Sequence, residues 1–250
     1  MELQILRMKE KKNDEMSFWE HIDVLRLTLF KIVVAVLIGA IISFLLKDEV
    51  FAVLLAPKDK YGIRLINTGL TGQFAIHVQL SLYIGILIVS PYILYLLFRF
   101  ISPALTGKEK AYASKITVGG YAMFFLGVAL NYFLIFPFTF QFLGTYRVSG
   151  EVENLISLQS YIDTLVMMSF MLGILFELPI VNWVLGRIGI LKANAMKRFR
   201  CHAIICILLV AAIITPTSDV FTLLLVSVPI WLLYEVTKVS QVNKYQLACL

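Results

Sequence analysis

Charged side chains are scarce in this chain of 250 residues: Asp, Glu, Lys and Arg make up 15% of it, and hydrophobic types make up 60%. Average soluble domains contain about 25% charged residues and about 45–50% apolar ones. A globule of this size has too little interior to hide so many apolar side chains from water. The composition therefore excludes a soluble protein and indicates an integral membrane protein with a handful of spans.

Cysteine and catalytic motifs are lacking as well. The three cysteines, Cys201, Cys206 and Cys249, give no disulfide framework, and no His/Cys spacing resembles a metal site. The chain has no Gly-x-Ser-x-Gly elbow, no His-Glu-x-x-His helix and no paired Ser and His. We therefore regard an intramembrane hydrolase as a weak hypothesis for this chain. We expect no enzymatic activity, no metal and no cofactor.

The basic residues do not indicate a nucleic-acid partner, although the net charge is +6. They come in small groups between apolar stretches, which is typical of cytoplasmic loops beside anionic lipid. The partner that the charge indicates is the lipid bilayer.

Six apolar segments run along the chain. A straight span needs about 20 residues, so the fifth and sixth are short on that measure. Either they form one broken re-entrant unit, or they are two short spans joined by a tight turn, which we favour. The segments cover residues 27–46, 74–101, 116–138, 161–185, 203–214 and 220–236.

The Lys and Arg residues favour six spans with both termini in the cytoplasm. That topology places sixteen of them on the cytoplasmic side and five outside, as the positive-inside rule requires. It divides the chain into a cytoplasmic N-terminal segment (1–26), a six-helix transmembrane domain (27–236) and a cytoplasmic tail (237–250). The loops 47–73 and 139–160 lie outside, where we expect short interfacial helices.

Glu177 lies in the middle of the fourth segment, and no basic residue is within one helical turn of it. An ionisable group at such depth costs several kcal/mol unless it is paired, protonated or beside water. It is either a functional polar contact, for a bound segment or for a proton, or a neutral structural acid bonded to a carbonyl that Pro179 frees. We favour the functional interpretation.

Two further stretches lie at the cytoplasmic face. Pro103 is expected to end the second span at the membrane surface, leaving Glu109 in the loop. A carboxylate there would hold a guanidinium by paired hydrogen bonds, or would simply balance the lysines beside it. The amphipathic stretch 18–26 is, taken alone, an aromatic and charged interface anchor.

Together these stretches resemble the TatC family, the large multispanning subunit of the twin-arginine protein translocase. The similarity covers about residues 18–240. It is carried by the order and spacing of several short motifs: His21…Leu25-Arg26, Ala56-Pro57, Ser90-Pro91…Leu94-Tyr95…Phe98…Phe100, Pro103-Ala104-Leu105…Glu109, Phe136-Pro137, Phe176-Glu177-Leu178-Pro179, Thr215-Pro216…Asp219 and Pro229…Leu233-Tyr234-Glu235.

The resemblance implies a glove-shaped bundle in the cell's inner (cytoplasmic) membrane that recognises signal peptides bearing two consecutive arginines. It implies work with single-span TatA/TatB-type partners and other copies of the chain, and export of folded proteins driven by the proton-motive force. Glu109 matches the family acid that meets the arginine pair, with Phe100 and Arg26 as neighbours. Glu177 matches an intramembrane acid of the family, and Thr215 a contact with a partner helix.

The chain departs from the family pattern in several places. The family often has Glu at the position of Val24, and here the acid is Asp23, about 100° away on a helix. Leu96 and Leu223 replace glutamines that are usual in the family.

A proton-coupled secondary transporter that uses Glu177 as its carrier site is the alternative function.

Overall fold

The computed structural model describes residues 18–59, 65–67, 69–101, 113–146, 155–187, 200–215 and 219–248. Glu109, Pro103 and Pro216 lie outside these residues. The described chain is helical apart from two short strands. Its elements are α1 (Phe18–Leu45), α2 (Lys47–Asp59), β1 (Leu65–Ile66), α3 (Gly72–Ile101), α4 (Ala113–Leu130), a π-helical turn (Asn131–Ile135), α5 (Phe136–Thr145), β2 (Ile156–Ser157), α6 (Leu158–Phe176), α7 (Leu178–Arg187), α8 (Arg200–Ile214) and α9 (Val220–Ala248).

Five stretches are long and apolar enough to cross a membrane. They are Ile22–Leu45, Gly72–Phe100, Thr117–Thr145, Leu158–Asn182 and Val220–Lys238. The apolar part of α8, Ala203–Ile214, is shorter, and at 1.5 Å per residue it reaches only about 18 Å. The fold class is confirmed as a helical membrane protein with a short fifth segment. The sixth is longer than the sequence suggested, because the helix continues through the Glu235–Lys238 ion pair.

Helices α1 and α3 pack closely and run antiparallel. A Cβ added to Gly39 would lie 2.8 Å from the carbonyl oxygen of Gly85, so the two glycines allow the backbones to touch. Further along, the Nε2 of His77 lies 3.2 Å from the carbonyl oxygen of Phe44, and the two rings stack. Phe44 thus lies beside His77, and Gly39 lies beside Gly85, so the residue numbers increase in opposite directions along the two helices. We call the end with Phe44 and His77 the outer end, and the opposite end the inner end.

Helices α4 and α6 form a second tight pair, with Gly127 against Gly173. On the outer side of this crossing, the amide of Asn131 donates hydrogen bonds to Ser169 Oγ (2.8 Å) and to the carbonyl of Leu165 (3.3 Å). Asn131 is fully buried at the start of the π-helical turn. A buried amide requires such partners in an apolar interior, so it fixes the register between the third and fourth spans.

Pro57 lies inside α2 and is buried there. Because proline has no N–H, the carbonyl four residues earlier, that of Val53, loses its helical donor. The hydroxyl of Tyr132 donates to that carbonyl at 2.5 Å. The proline therefore creates an acceptor that ties α2 to the third span.

Pro91 lies inside α3 and leaves the carbonyl of Leu87 without its helical donor in the same way. The hydroxyl of the neighbouring Ser90 donates to this carbonyl at 2.7 Å. Ser90 is buried, so inside the bundle a protein hydroxyl, and not water, replaces the hydrogen-bond donor that the Leu87 carbonyl lost.

The outer end carries elements that join the two outer loops. The first loop contains α2, which confirms the expected helix there. In the third loop the described residues instead extend the third span through α5 to Thr145 and then form β2. Strands β1 and β2 pair in parallel, Leu65 opposite Ile156. This small pairing departs from the all-α prediction, and two-residue strands leave no periodic signal in a sequence.

Candidate functional site

The inner end gathers several residues that the sequence analysis singled out. Arg26 precedes Gly39 by thirteen residues, and Phe98 follows Gly85 by thirteen, so both lie about 20 Å below the glycine crossing. Phe100 is on the last turn of α3 at the same end. Residues 102–112, which include Glu109, join the inner ends of α3 and α4. The described residues on both sides of Glu109 in the chain therefore lie at the inner end.

Asp23 and Arg26 line an open groove of about 720 Å³ along the exposed surface of α1, together with Leu27, Phe30 and Val33. Residues three apart on a helix share a face, so the acid and the base reach the same space. The groove continues along α1 from charged residues into apolar ones. Val24, the position at which the family often has Glu, is not among the lining residues.

Glu177 occupies the junction between α6 and α7. Its backbone N–H bonds to the carbonyl of Ile174 at 3.1 Å, and its own carbonyl accepts the N–H groups of Ile180 and Val181 at 3.0 Å. Pro179 suits this position because a proline in the first turn of a helix gives up no intrahelical hydrogen bond. The sequence Phe176-Glu177-Leu178-Pro179 thus ends one helix and begins the next at the acid.

The carboxylate of Glu177 lies over Gly120 of α4. A Cβ built on Gly120 would come within 3.1 Å of Oε2 and within 3.0 Å of the Phe98 ring. The side chain is buried, and neither carboxylate oxygen has a hydrogen-bond partner among the residues that the structure describes. A buried acid in this state is poised to accept a polar group from outside the chain.

Glu177 lies inside the fourth span, five residues before the end of the stretch Leu158–Asn182. It follows Leu158 by nineteen residues, about 28 Å along the helix, and it shares Gly120 with Phe98. Because the fourth span begins at the outer end, the acid lies near the inner end, close to the level of Arg26. The structure therefore brings Glu177, Phe98, Phe100 and Arg26 to one end of the bundle.

Thr215 belongs to a different place. It is buried after the end of α8, where its hydroxyl donates to the carbonyl of Ala211 at 3.1 Å. Asp219 caps α9 by accepting the backbone N–H of Thr222 at 2.7 Å. Phe221 stacks on Phe142 of α5, which places this junction at the outer end. Thr215 and Glu177 are thus not part of one site.

The sequence analysis missed a polar cluster at the outer end, between α3 and α6. Gln79 donates to Oδ1 of Asp163 at 2.7 Å, and Gln159 donates to both carboxylate oxygens at 2.9 and 2.8 Å. Gln159 also donates to Gln79 Oε1 at 3.1 Å. An acid inside the predicted span 161–185 was the available signal. No three His, Cys, Asp or Glu side chains in the described part of the chain come together as metal ligands do.

The fold and the site define a class: a multi-pass helical membrane protein with a buried acid near one end of the bundle that has no hydrogen-bond partner among the described residues. The model of the TatC family, Sec-independent protein translocase protein, matches residues 20–229. TatC of Blattabacterium is 31% identical and TatC of Aquifex aeolicus 34%, over 91% and 89% of this chain and 95% and 93% of theirs. A crystal structure of the twin-arginine translocase receptor TatC in DDM superposes with a TM-score of 0.80 at 33% identity, covering 89% of this chain and 99% of that one.

The chain belongs to the TatC family. It is therefore a non-enzymatic subunit of the Sec-independent, twin-arginine protein translocase, a multi-pass protein of the cell's inner membrane. This membership selects protein translocation over the proton-coupled transporter that the sequence left as the alternative.

Proposed function

We propose that this chain is the signal-peptide receptor of the translocase, and that it docks a twin-arginine leader at the inner end of the bundle. Glu109 holds the arginine pair, and Phe100, Arg26 and Asp23 form the surface around it. One observation carries the proposal. In this member of the TatC family, Arg26, Phe98 and the residues that flank the segment 102–112 all lie at the inner end of the helix bundle. The inner end faces the cytoplasm, where leaders first arrive.

The chemistry suits an arginine pair. Guanidinium groups keep their charge at any physiological pH and match a carboxylate with two parallel hydrogen bonds, so an acid at the interface replaces the water that arginine gives up. Asp23 supplies a second acid on the groove face of α1, since it lines the space that Arg26 also lines. The apolar part of a leader then continues along the same groove, beside Leu27 and Phe30.

Glu177 is the second contact in this proposal. Its carboxylate is buried without a partner among the described residues, so a polar group on an inserted helix would gain a hydrogen bond there. We assign this role to a TatA/TatB-type single-span partner, and a second partner contact to Thr215 at the outer end. Several copies of the chain assemble with these partners in the working complex.

Passage of a folded protein requires the recruited partners, because the described helices pack against one another around two apolar cores. The short α8, whose apolar part reaches about 18 Å against a hydrocarbon thickness of about 30 Å, favours local thinning of the bilayer. The proton-motive force drives the step in this account.

The proposal is tested by crosslinking a twin-arginine signal peptide, with a photoreactive group beside its arginines, to the full chain in membranes. Glu109→Gln is expected to abolish the crosslink. Glu49→Gln, on α2 at the outer end, is the matched control and is expected to leave the crosslink at the wild-type level. An undiminished crosslink in Glu109→Gln contradicts the assignment.

A further inference from the structure

An apolar cavity that is open on one side lies between the second, third and fourth spans, away from the inner-end site. Its volume is about 280 Å³, and almost all of the surface that faces it is apolar. Ile84 and Leu87 of α3, Ala129 of α4 and Phe170 of α6 form its walls, and Leu54 of α2 closes its outer side. The translocation function described above uses none of these residues.

Two of the three hydroxyl-bearing side chains on its walls, Tyr132 and Ser169 but not Tyr83, have hydrogen bonds within the protein that the structure shows. The Tyr132 hydroxyl donates to the carbonyl of Val53, and Ser169 Oγ accepts from the amide of Asn131. A buried water needs about two to four polar partners, so this cavity offers water no stable place. An apolar occupant, by contrast, would gain dispersion contacts with walls that otherwise face a void.

The cavity opens toward hydrocarbon. Phe125 and Phe133, both in the span Thr117–Thr145, line it and are 59% and 75% exposed. Exposed aromatic side chains within a span face lipid tails. The opening is thus continuous with the surface that the bilayer covers.

The size of the cavity separates two apolar occupants. One turn of an α-helix, about 10 Å wide and about 5.4 Å long, fills about 400 Å³. The cavity, at about 280 Å³, is smaller than one such turn. It excludes a leader or a partner helix, whereas a single unbranched hydrocarbon chain is thin enough to enter.

We propose that this cavity binds one acyl chain of a membrane phospholipid, which enters between Phe125 and Phe133 and lies against Ala129. The bound chain completes the packing between the second and third spans beneath α2. This inference does not depend on the proposed receptor role.

The test uses the full chain reconstituted in phosphatidylethanolamine and phosphatidylglycerol vesicles that contain a phospholipid with a diazirine in one acyl chain. After illumination, peptides carrying the label are mapped by mass spectrometry. We expect labelling of the cavity walls to exceed that of the exposed face around Val118, which contacts bulk lipid. Equal labelling of both surfaces means annular lipid only and overturns the proposal.

Matched variants separate a bound chain from bulk lipid. Ala129→Phe fills the cavity and is expected to cause loss of the wall labelling, whereas Ala122→Phe, at an exposed position two turns earlier that does not line the cavity, is expected to keep it. Wall labelling that persists in Ala129→Phe overturns the proposal. So does wall labelling that a twin-arginine signal peptide displaces, because the cavity would then belong to the leader.

A second measurement covers the case in which Ala129→Phe does not fold. Phospholipid added to the delipidated chain in detergent should raise the Tm of the wild type and of Ala122→Phe, since a ligand that binds only the folded state stabilises it. In the milder variant Ala129→Leu this increase should be smaller. An increase as large as in the wild type contradicts the proposal.

Discussion

The carboxylate of Glu177 rests on Gly120: a Cβ at Gly120 would lie 3.1 Å from Oε2 and 3.4 Å from Oε1. The glycine leaves the space that the acid occupies, and the Phe98 ring lies beside the same space, 3.0 Å from where a Cβ of residue 120 would be. The position of the acid therefore depends on a residue of a different helix.

Gly120→Ala should displace the Glu177 side chain and lower export of a folded reporter behind a twin-arginine signal. Contacts of 3.0–3.4 Å from the new Cβ force the carboxylate and the Phe98 ring to shift. Gly119→Ala is the control, because its Cβ meets only Ile180 Cδ1, at 3.7 Å. Export is measured in a strain that lacks its own TatC, with membrane levels of both variants compared. Equal export by the two variants would show that the position of the acid is unimportant.

Glu177→Leu should stabilise the chain and abolish export. The acid is buried without a partner among the described residues, and replacing an unsatisfied buried polar group by an apolar one recovers about 1–3 kcal/mol of desolvation cost. Thermal unfolding in detergent measures the first effect, and the reporter assay measures the second. Glu177→Gln, which keeps hydrogen-bonding groups, should retain partial export. A less stable Glu177→Leu chain would mean that the acid has a structural partner.

Asp163→Ala should destabilise the outer end by about 1–3 kcal/mol, because it leaves the amides of Gln79 and Gln159 without their acceptor. Asp163→Asn keeps one acceptor oxygen and should cost less. A double-mutant cycle of Asp163→Ala with Gln79→Leu should be non-additive, since the two residues share a hydrogen bond. Additive effects on the free energy of unfolding would disprove the coupling. The exposed Gln141→Ala is the control.

Tyr132→Phe should cost about 1 kcal/mol of stability by removing the hydrogen bond to the carbonyl of Val53. Pro57→Ala restores a helical N–H for that carbonyl. The effect of Tyr132→Phe should therefore be smaller in the Pro57→Ala background. Thermal unfolding of the four chains checks this, and an equal loss in both backgrounds contradicts the role given to Pro57.

The sequence predicted the parts of the fold that depend on apolar length. It located every membrane-spanning segment and missed the observed ends by no more than seven residues, because continuous hydrophobicity is a strong and local signal. It placed Glu177 inside the fourth span, but it did not show that Gly120 and Phe98 lie beside the acid, since a position within a segment does not tell which neighbouring helices contact it. The partnerships of Pro57 with Tyr132 and of Gln79 with Asp163 join residues more than seventy positions apart, and no periodicity encodes them.

The site was predictable only in part. The resemblance singled out Phe100, Arg26 and Glu177, which the structure brings to one end of the bundle. Asp23 is one position away from the usual acid, yet it lines the same open groove along α1 as Arg26. Gly120 could not be singled out from the sequence, because the role of a glycine becomes visible only when the structure shows which side chain occupies the space that it leaves. The role of Glu109 stays a prediction.

The most direct test of the receptor account is the affinity of the purified full chain, in lipid nanodiscs, for a synthetic twin-arginine signal peptide. Changing both peptide arginines to lysine should weaken binding, because lysine does not form the paired hydrogen bonds of a guanidinium. In Glu109→Gln the wild-type peptide should bind as weakly as the lysine peptide, and the lysine change should then make little further difference. Equal binding of both peptides to the unaltered chain would contradict the account.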